Sequence, residues 1–168
     1  MALKRIIAHW AVTKYKCDQT SRQHYHFIYE GDGREVVGNH TPEANESTSD
    51  GVYAAHTRSC NTGSIGVSCA AMFGAVSVDK PGNFPITEVQ FDAMCRGIGR
   101  LCVKYNIPVG PKTVLSHAEV QGTLGIRQNG KWDIAVLPFA GLKTAKACGD
   151  EMRRRVASHV SELKVGRR

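Results

Sequence analysis

The apolar segment at residues 5–12 constrains the fold of this chain more than any other part of its sequence. Its pattern predicts a buried β-strand, yet it contains a histidine, His9, which needs a reason to lie inside a core. Residues 64–71 and 114–117 are two further strand-like runs, and a helical pattern separates them. This alternation predicts an α/β fold in which a central mixed β-sheet is flanked by helices.

Other local signals predict a hairpin and two long helices. Residues 25–29 and 34–37 favour β-structure and flank an Asp-Gly pair, which is typical of a hairpin turn. Thr87 and Gln90 fit the capping box of a first helix. Residues 144–163 carry an apolar stripe at helical spacing and form the second predicted helix.

Three polar segments are predicted to be loops. They are residues 13–23, residues 39–50 and the stretch that leads from the strand at 114–117 to Asp133. No internal repeat or low-complexity tract interrupts the chain.

Length and composition indicate one ordered domain over residues 1–168. Hydrophobic residues make up 42% of the chain and charged residues 22%, which is ordinary for a globular protein. No run approaches the roughly 20 apolar residues that span a bilayer. The first residues lack a signal-peptide core, so we expect synthesis in the cytoplasm, and we expect a monomer.

The six cysteines are expected to be buried free thiols. Their spacings are irregular, no secretory signal precedes them, and no Cys-x-x-Cys pair suggests a structural zinc knuckle.

The net charge of +7 is concentrated near the end of the chain. Residues 143–168 hold eight Lys or Arg against three Asp or Glu. Such an excess attracts polyanions, among them nucleic acid, anionic lipid and an anionic cell envelope. A solvated helix face explains the same charges equally well.

Two histidines and one carboxylate are the candidate metal ligands. His9 lies in the first strand, His117 ends a later strand, and Asp133 follows in Lys131-Trp132-Asp133. Two histidines and a carboxylate form the ligand set of an open catalytic zinc site, which keeps a fourth position for water. Such a site favours hydrolysis of an amide, with Lys131 and Tyr25 as candidates to assist.

Structural interpretations of the same residues stay open at this point. A buried histidine is more often a core residue than a ligand, and Asp133 also suits a turn. Glu119 either orients a metal ligand or is a charge at a strand end. A Cys–His hydrolase would use Cys60 or Cys69, whereas Ser116 lacks the Gly-x-Ser-x-Gly elbow of a serine nucleophile.

Five motifs occur in an order that carries a family resemblance. They are residues 7–13, Tyr25-His26-Phe27 with its hairpin, His56 and Asn61 before Ser64-Ile65-Gly66-Val67, residues 116–120, and Lys131-Trp132-Asp133. In this order the chain resembles the zinc-dependent N-acetylmuramoyl-L-alanine amidases of the type 2 family. That family shares its fold with the peptidoglycan recognition proteins and includes short phage lysozyme-amidases.

The resemblance implies a substrate, a cofactor and three groups of site residues. The substrate would be peptidoglycan, cleaved at the amide between the muramic acid lactyl group and L-Ala, with one Zn²⁺ per chain. The catalytic residues would orient or deprotonate water and stabilise the oxyanion. The groups are the metal ligands His9, His117 and Asp133, the catalytic residues Tyr25 and Lys131, and the substrate-binding residues His56 and Asn61.

The chain departs from the family pattern in two places. Ile134-Ala135 follows the last ligand, where relatives often have Pro-Gly. The segment before Tyr25 is short, so we expect a helix common there to be reduced to a loop.

The resemblance favours a phage or prophage endolysin without a separate cell-wall-binding domain. It would reach the wall through a separate pore or by lysis, and the basic helix at 144–163 could contact the anionic envelope. Alternatives are a cytosolic amidase that recycles soluble muropeptides and a non-catalytic peptidoglycan-binding module, although all three ligands are kept. Nucleic-acid binding rests on charge alone and is not expected.

Overall fold

A five-stranded mixed sheet forms the centre of the protein. The computed structural model describes residues 2–167. The strands are β1 (Arg5–Trp10), β2 (Phe27–Tyr29), β3 (Glu35–Val37), β4 (Ser64–Cys69) and β5 (Val114–Ser116), in the order β3-β2-β4-β1-β5. Neighbouring strands are parallel except β2 and β3, which form the antiparallel hairpin. The prediction of an α/β domain with a mixed sheet is therefore confirmed.

Four α-helices accompany the sheet within the described residues. They are α1 (Gln19–His24), α2 (Glu88–Tyr105), α3 (His117–Leu124) and α4 (Ala145–Val165), and Pro42–Glu46 and Pro138–Ala140 form 3-10 turns. The predicted capping box at Thr87 and Gln90 is present at the start of α2. Helices α2 and α4 pack against each other and cover one face of the sheet, which forms the main hydrophobic core.

The side chains of β1 alternate between the two faces of the sheet. Ile6 and Ala8 belong to the main core beneath α2 and α4, whereas Ile7 belongs to a smaller cluster with Leu115 and Val120 of α3. Because alternate residues of a strand share a face, His9 lies on the side of Ile7, away from the main core. This alternation directs the buried histidine toward the loops and α3.

The loop prediction was wrong in three places, and a capping side chain or a proline marks each one. Asp18 accepts a hydrogen bond from the Ser21 N–H and begins α1 within the segment 13–23. Pro42 begins a 3-10 turn within residues 39–50. Helix α3 begins directly at His117, since the Glu119 carboxylate accepts from the backbone N–H of Ser116.

Two further predictions concern the cysteines and the membrane. All six cysteines are free, five are buried and Cys17 is half-buried, which confirms the prediction of free thiols for the most part. Among residues 2–167, no helix combines the length and apolar character that crossing a bilayer requires.

Candidate active site

The fold brings the three predicted metal ligands together at one edge of the sheet. His9 is near the end of β1, and Ala8 pairs with Ser116 of the parallel strand β5, so His117 follows beside His9. The carbonyl of Asp133 accepts a hydrogen bond of 2.6 Å from the Ala118 N–H, which holds the Asp133 loop against the first turn of α3. His9, His117 and Asp133 are only 1%, 5% and 7% exposed.

The distances among these side chains suit a small cation. The Oδ2 atom of Asp133 lies 3.0 Å from Nδ1 of His9 and 3.4 Å from Nδ1 of His117. Each residue offers one ligand atom, and these atoms all lie within 4.8 Å of one another. A tetrahedral zinc ion with bonds of about 2.0–2.1 Å needs donor atoms about 3.3 Å apart, and the two separations to Asp133 are close to that value.

The outer nitrogen of His117 has a partner that fixes its tautomer. Its Nε2 lies 2.7 Å from Oε1 of Gln128, while the amide nitrogen of Gln128 donates to the carbonyl of Arg58 at 2.8 Å. Since a carbonyl can only accept, the Gln128 amide has one orientation, and Nε2 of His117 must carry the proton. The inner Nδ1 then presents a lone pair to Asp133.

The outer nitrogen of His9 is fixed in a similar way by His56. The Nε2 of His56 lies 3.2 Å from the carbonyl of Ser64 and therefore donates, and burial lowers the pKa of His56 well below its usual value. Its Nδ1 can then only accept. The Nε2 of His9, 3.2 Å from that atom and 3.3 Å from Oγ1 of Thr57, is the donor. The Nδ1 of His9 also presents a lone pair to Asp133.

In these tautomers, the Nδ1 atoms of His9 and His117 and Oδ2 of Asp133 face one another with lone pairs, and no proton lies between them. Burial lowers the pKa of His9, which opposes a second proton on that ring. The donor set therefore fits Zn²⁺, because a cation would satisfy the lone pairs of two imidazole nitrogens and a carboxylate oxygen that face one another.

The predicted catalytic residues lie around a cavity of about 370 Å³ above these ligands. Its lining includes Tyr25, Lys131, His56, His117 and Asp133. The ring of Tyr25 stacks at an angle against that of His9, with 5.1 Å between the centroids. Lys131 is exposed at the rim. Burial, followed by the charge of Asp133, raises the pKa of Tyr25, so its phenol keeps its proton at neutral pH.

The two predicted substrate-binding residues occupy different places. His56 lines the cavity and contacts His9. Asn61 lies behind it, where its Oδ1 accepts hydrogen bonds from the N–H groups of His56 at 3.0 Å and Thr57 at 2.9 Å. In this geometry Asn61 positions the His56 loop and does not line the site cavity.

The sequence interpretation missed Gln128 and a support from α4. Arg153 of α4 places Nη2 2.8 Å from Oε1 of Glu119 and Nη1 3.2 Å from Oε2, and Nη1 also donates to the carbonyl of Val114 at 3.0 Å. A Cβ at Gly149 would lie 2.1 Å from Oε1 of Glu119, so only glycine leaves room for this pair. The pair ties α4 to the turn that carries His117.

Comparison with known proteins supports the fold and assigns the family. The family model described as N-acetylmuramoyl-L-alanine amidase matches residues 1–134. No curated protein matches the sequence.

Several solved structures have the same fold. A mutant of PlyL has a TM-score of 0.56 at 18% identity and covers 94% of this chain and 87% of its own. The endolysin amidase LysCS from Clostridium intestinale URNW has a TM-score of 0.52 at 16% identity, with 93% and 85% covered. Identities this low show a shared fold alone. The family match spans most of the sequence, and the chain belongs to the N-acetylmuramoyl-L-alanine amidase family.

Proposed function

We propose that this amidase depends on Zn²⁺ held by His9, His117 and Asp133. One observation carries the proposal: three buried donor atoms lie within 4.8 Å of one another, and the outer nitrogens of both histidines are occupied by hydrogen-bond partners. When bound, Zn²⁺ supplies Lewis acidity and lowers the pKa of water to about 7.

The residues around the cavity have separate roles in this proposal. The ammonium of Lys131 at the rim stabilises the negative charge that develops on the carbonyl oxygen of the scissile amide. The phenol of Tyr25 donates a hydrogen bond to the substrate, since its raised pKa keeps it protonated at neutral pH. His56 lines the cavity where the substrate binds, and Asn61 positions the loop that carries His56.

The proposed substrate is peptidoglycan, cleaved between the lactyl group of muramic acid and L-Ala. The family match and the shared fold with LysCS, which is an endolysin amidase, support this choice. We extend it to an endolysin role in which the protein is released to the wall through a pore or by lysis. A recycling amidase would instead prefer soluble muropeptides, and relative rates on intact sacculi and on soluble fragments distinguish the two.

Contact between α4 and an anionic envelope stays a proposal with weaker support. Arg153, Arg154 and Arg155 of α4 all pair with carboxylates, as does Lys146 with Asp150. These pairs leave less free charge on the helix than its sequence suggested. Binding to anionic vesicles at several salt concentrations tests this contact directly.

The central experiment follows digestion of purified peptidoglycan by loss of turbidity and identifies the products by mass spectrometry. We expect new free L-Ala amino termini, loss of activity with excess chelator and recovery with Zn²⁺. His117→Ala should be inactive, whereas the exposed control His24→Ala should retain activity. Full activity of the chelated protein or of His117→Ala would refute the zinc assignment.

A further inference from the structure

His56 lines the active-site cavity, but both of its ring nitrogens have partners within the protein. Its Nε2 donates to the carbonyl of Ser64 at 3.2 Å. Its Nδ1 lies 2.8 Å from Oγ1 of Thr57 and 3.2 Å from Nε2 of His9. A neutral imidazole has one donor and one acceptor, and here both are in use. The ring therefore has no free nitrogen with which to hydrogen-bond a substrate in the cavity.

The hydroxyl of Thr57 connects His56 to His9, the proposed metal ligand. Thr57 is only 1% exposed, and its Oγ1 lies 2.8 Å from Nδ1 of His56 and 3.3 Å from Nε2 of His9. An imidazole nitrogen has one lone pair, and the shorter contact gives the lone pair of His56 to the Thr57 hydroxyl. The oxygen of Thr57 then accepts from the N–H of His9.

These contacts form a chain of hydrogen bonds that runs in one direction. Each group donates to the next, in the order His9, Thr57, His56 and the carbonyl of Ser64. Because a carbonyl can only accept, its place at the end fixes the direction of every bond before it. The chain thereby keeps the proton of His9 on Nε2 and leaves the lone pair of Nδ1 facing Asp133.

The loop and β4 hold this chain in place. The Oδ1 atom of Asn61 accepts from the backbone N–H groups of both His56 and Thr57. A Cβ at Gly66 of β4 would lie 2.5 Å from Cγ of His56, so the ring needs glycine at that position. Packing and hydrogen bonds therefore fix the orientation of the His56 ring without any contribution from a ligand.

The other histidine of the proposed metal site has a chain of the same kind. Its Nε2 contacts Gln128, and the amide of Gln128 donates to the carbonyl of Arg58. Both chains start at the outer nitrogen of a histidine and end on a backbone carbonyl. Gln128 lies outside the lining of the site cavity and holds an imidazole. The contacts of His56 fit that same role.

We propose that Thr57 and His56 are positioning residues for His9, and that His56 does not hydrogen-bond the substrate. The proposal rests on the proposed function, since His9 would hold Zn²⁺ there. It gives a role to Thr57 and changes the role that the family resemblance implies for His56. The physical reason is that outer hydrogen-bond partners orient a metal-binding imidazole and raise its affinity for the metal.

Two variants separate positioning from substrate binding. Thr57→Val removes the hydroxyl and keeps the shape of the side chain, whereas His56→Phe keeps a ring beside Gly66 and removes both nitrogens. Competition with a chelating dye measures zinc affinity, and hydrolysis of a soluble muramoyl-peptide by the zinc-saturated protein gives kcat and KM. The control is Thr113→Val, which removes a hydroxyl that donates to the carbonyl of Pro108, outside the site cavity.

We expect zinc affinity to fall about threefold in Thr57→Val and about fivefold in His56→Phe. These losses are smaller than the roughly 10–100-fold typical of outer partners, because β1 also holds His9. KM should stay within about twofold of the wild type in both variants, and Thr57→Ser, which keeps the hydroxyl, should retain wild-type zinc affinity. A KM raised about tenfold in His56→Phe with unchanged zinc affinity would assign His56 to substrate binding and overturn the proposal.

Nuclear magnetic resonance tests the same chain in the wild-type protein. Long-range proton–nitrogen spectra identify which nitrogen of an imidazole carries the proton. We expect the proton of His56 and that of His9 on Nε2 in the zinc-loaded protein. A proton on Nδ1 of His56 would reverse the chain and overturn the proposal. Wild-type protein that binds no Zn²⁺ would refute the proposed function and this proposal together, whereas wild-type zinc affinity in both variants would refute this proposal alone.

Discussion

The two histidines of the active site are held by different kinds of support. His9 lies in β1, between the parallel strands β4 and β5, and its outer contacts are the neutral groups His56 and Thr57. His117 lies at the first turn of a short helix, and the buried ion pair of Glu119 with Arg153 ties that turn to α4. A strand and uncharged side chains hold His9, whereas a helix terminus and a buried ion pair hold His117. We call the ion pair of Glu119 with Arg153 the clamp.

The two supports also lie in different parts of the chain. The His9 support lies entirely within residues 1–134, where the family model matches, while Arg153 lies beyond that match. A site built from shared motifs thus relies on a C-terminal helix for the position of one proposed ligand. We expect the two supports to respond differently to mutation and to pH.

The largest effect should come from the carboxylate that both histidines face. Asp133→Ala removes one proposed ligand and leaves two lone-pair donors without their shared partner. We expect zinc affinity to fall by more than about 100-fold and amidase activity to be lost, because loss of even an outer support costs 10–100-fold. Competition with a chelating dye measures the affinity, and Asp50→Ala is the exposed control. Retained zinc binding in Asp133→Ala would remove this residue from the ligand set.

The next effect tests the clamp on the His117 side. Arg153→Met leaves the Glu119 carboxylate buried without its partner, which should lower the free energy of unfolding by about 3 kcal/mol. We expect zinc affinity of the folded variant to fall about tenfold, since the turn that carries His117 loses its anchor. Urea unfolding and dye competition measure the two quantities.

Two variants make this result decisive. Arg154→Met removes an exposed arginine that, among residues 2–167, pairs only with Glu151 and should change neither quantity appreciably. The double variant Arg153→Met/Glu119→Gln removes the unpaired charge and should recover part of the stability but not the zinc affinity. A stability loss in Arg153→Met with unchanged zinc affinity would reduce the clamp to a structural role.

A smaller effect is expected on the His9 side. Asn61→Ala removes the acceptor for two backbone N–H groups of the His56 loop and should cost about 1–3 kcal/mol of stability. Zinc affinity should fall less than in Arg153→Met, because β1 holds His9 independently of that loop. The same dye competition checks this, and an equal or greater loss would show that both histidines depend on their outer supports alike.

The pH dependence of stability should reveal the buried neutral histidine His26, whose ring packs against that of His56. Burial lowers the pKa of His26 from 6.5 to about 4, and its Nδ1 accepts from the Gly66 N–H. Between those two pH values the unfolded chain binds a proton that the folded chain excludes. The free energy of unfolding therefore decreases as the pH is lowered, by up to about 1.4 kcal/mol per pH unit. In urea unfolding of the zinc-free protein from pH 7 to pH 4, His26→Gln should give a shallower slope; an unchanged slope would assign the acid sensitivity to other groups.

Much of the fold was predictable because its signals are local. The apolar strands, the Asp-Gly turn and the Thr87 capping box each depend on neighbouring residues, and all three are present. The start of α3 also had a local signal, since Ser116 and Glu119 fit a capping pattern, but the glycine-rich continuation favoured a loop. The predicted ligand set remains a proposal whose residues the fold brings together.

The supports of the site could not be predicted in the same way. Gln128 contacts His117 and Arg153 contacts Glu119 across 11 and 34 residues, and nothing near either residue in sequence specifies its partner. The same holds for His159, which is buried against Asp92. Such contacts depend on how the helices approach one another, which a single sequence does not encode as a pattern.

The most direct measurement of the central claim is zinc titration of the chelated protein with amidase activity followed at each step. Activity on peptidoglycan should rise in proportion to bound zinc and reach its maximum at one ion per chain, with no recovery in Asp133→Ala. Full activity before any zinc is added, or equal recovery in Asp133→Ala, would contradict the account.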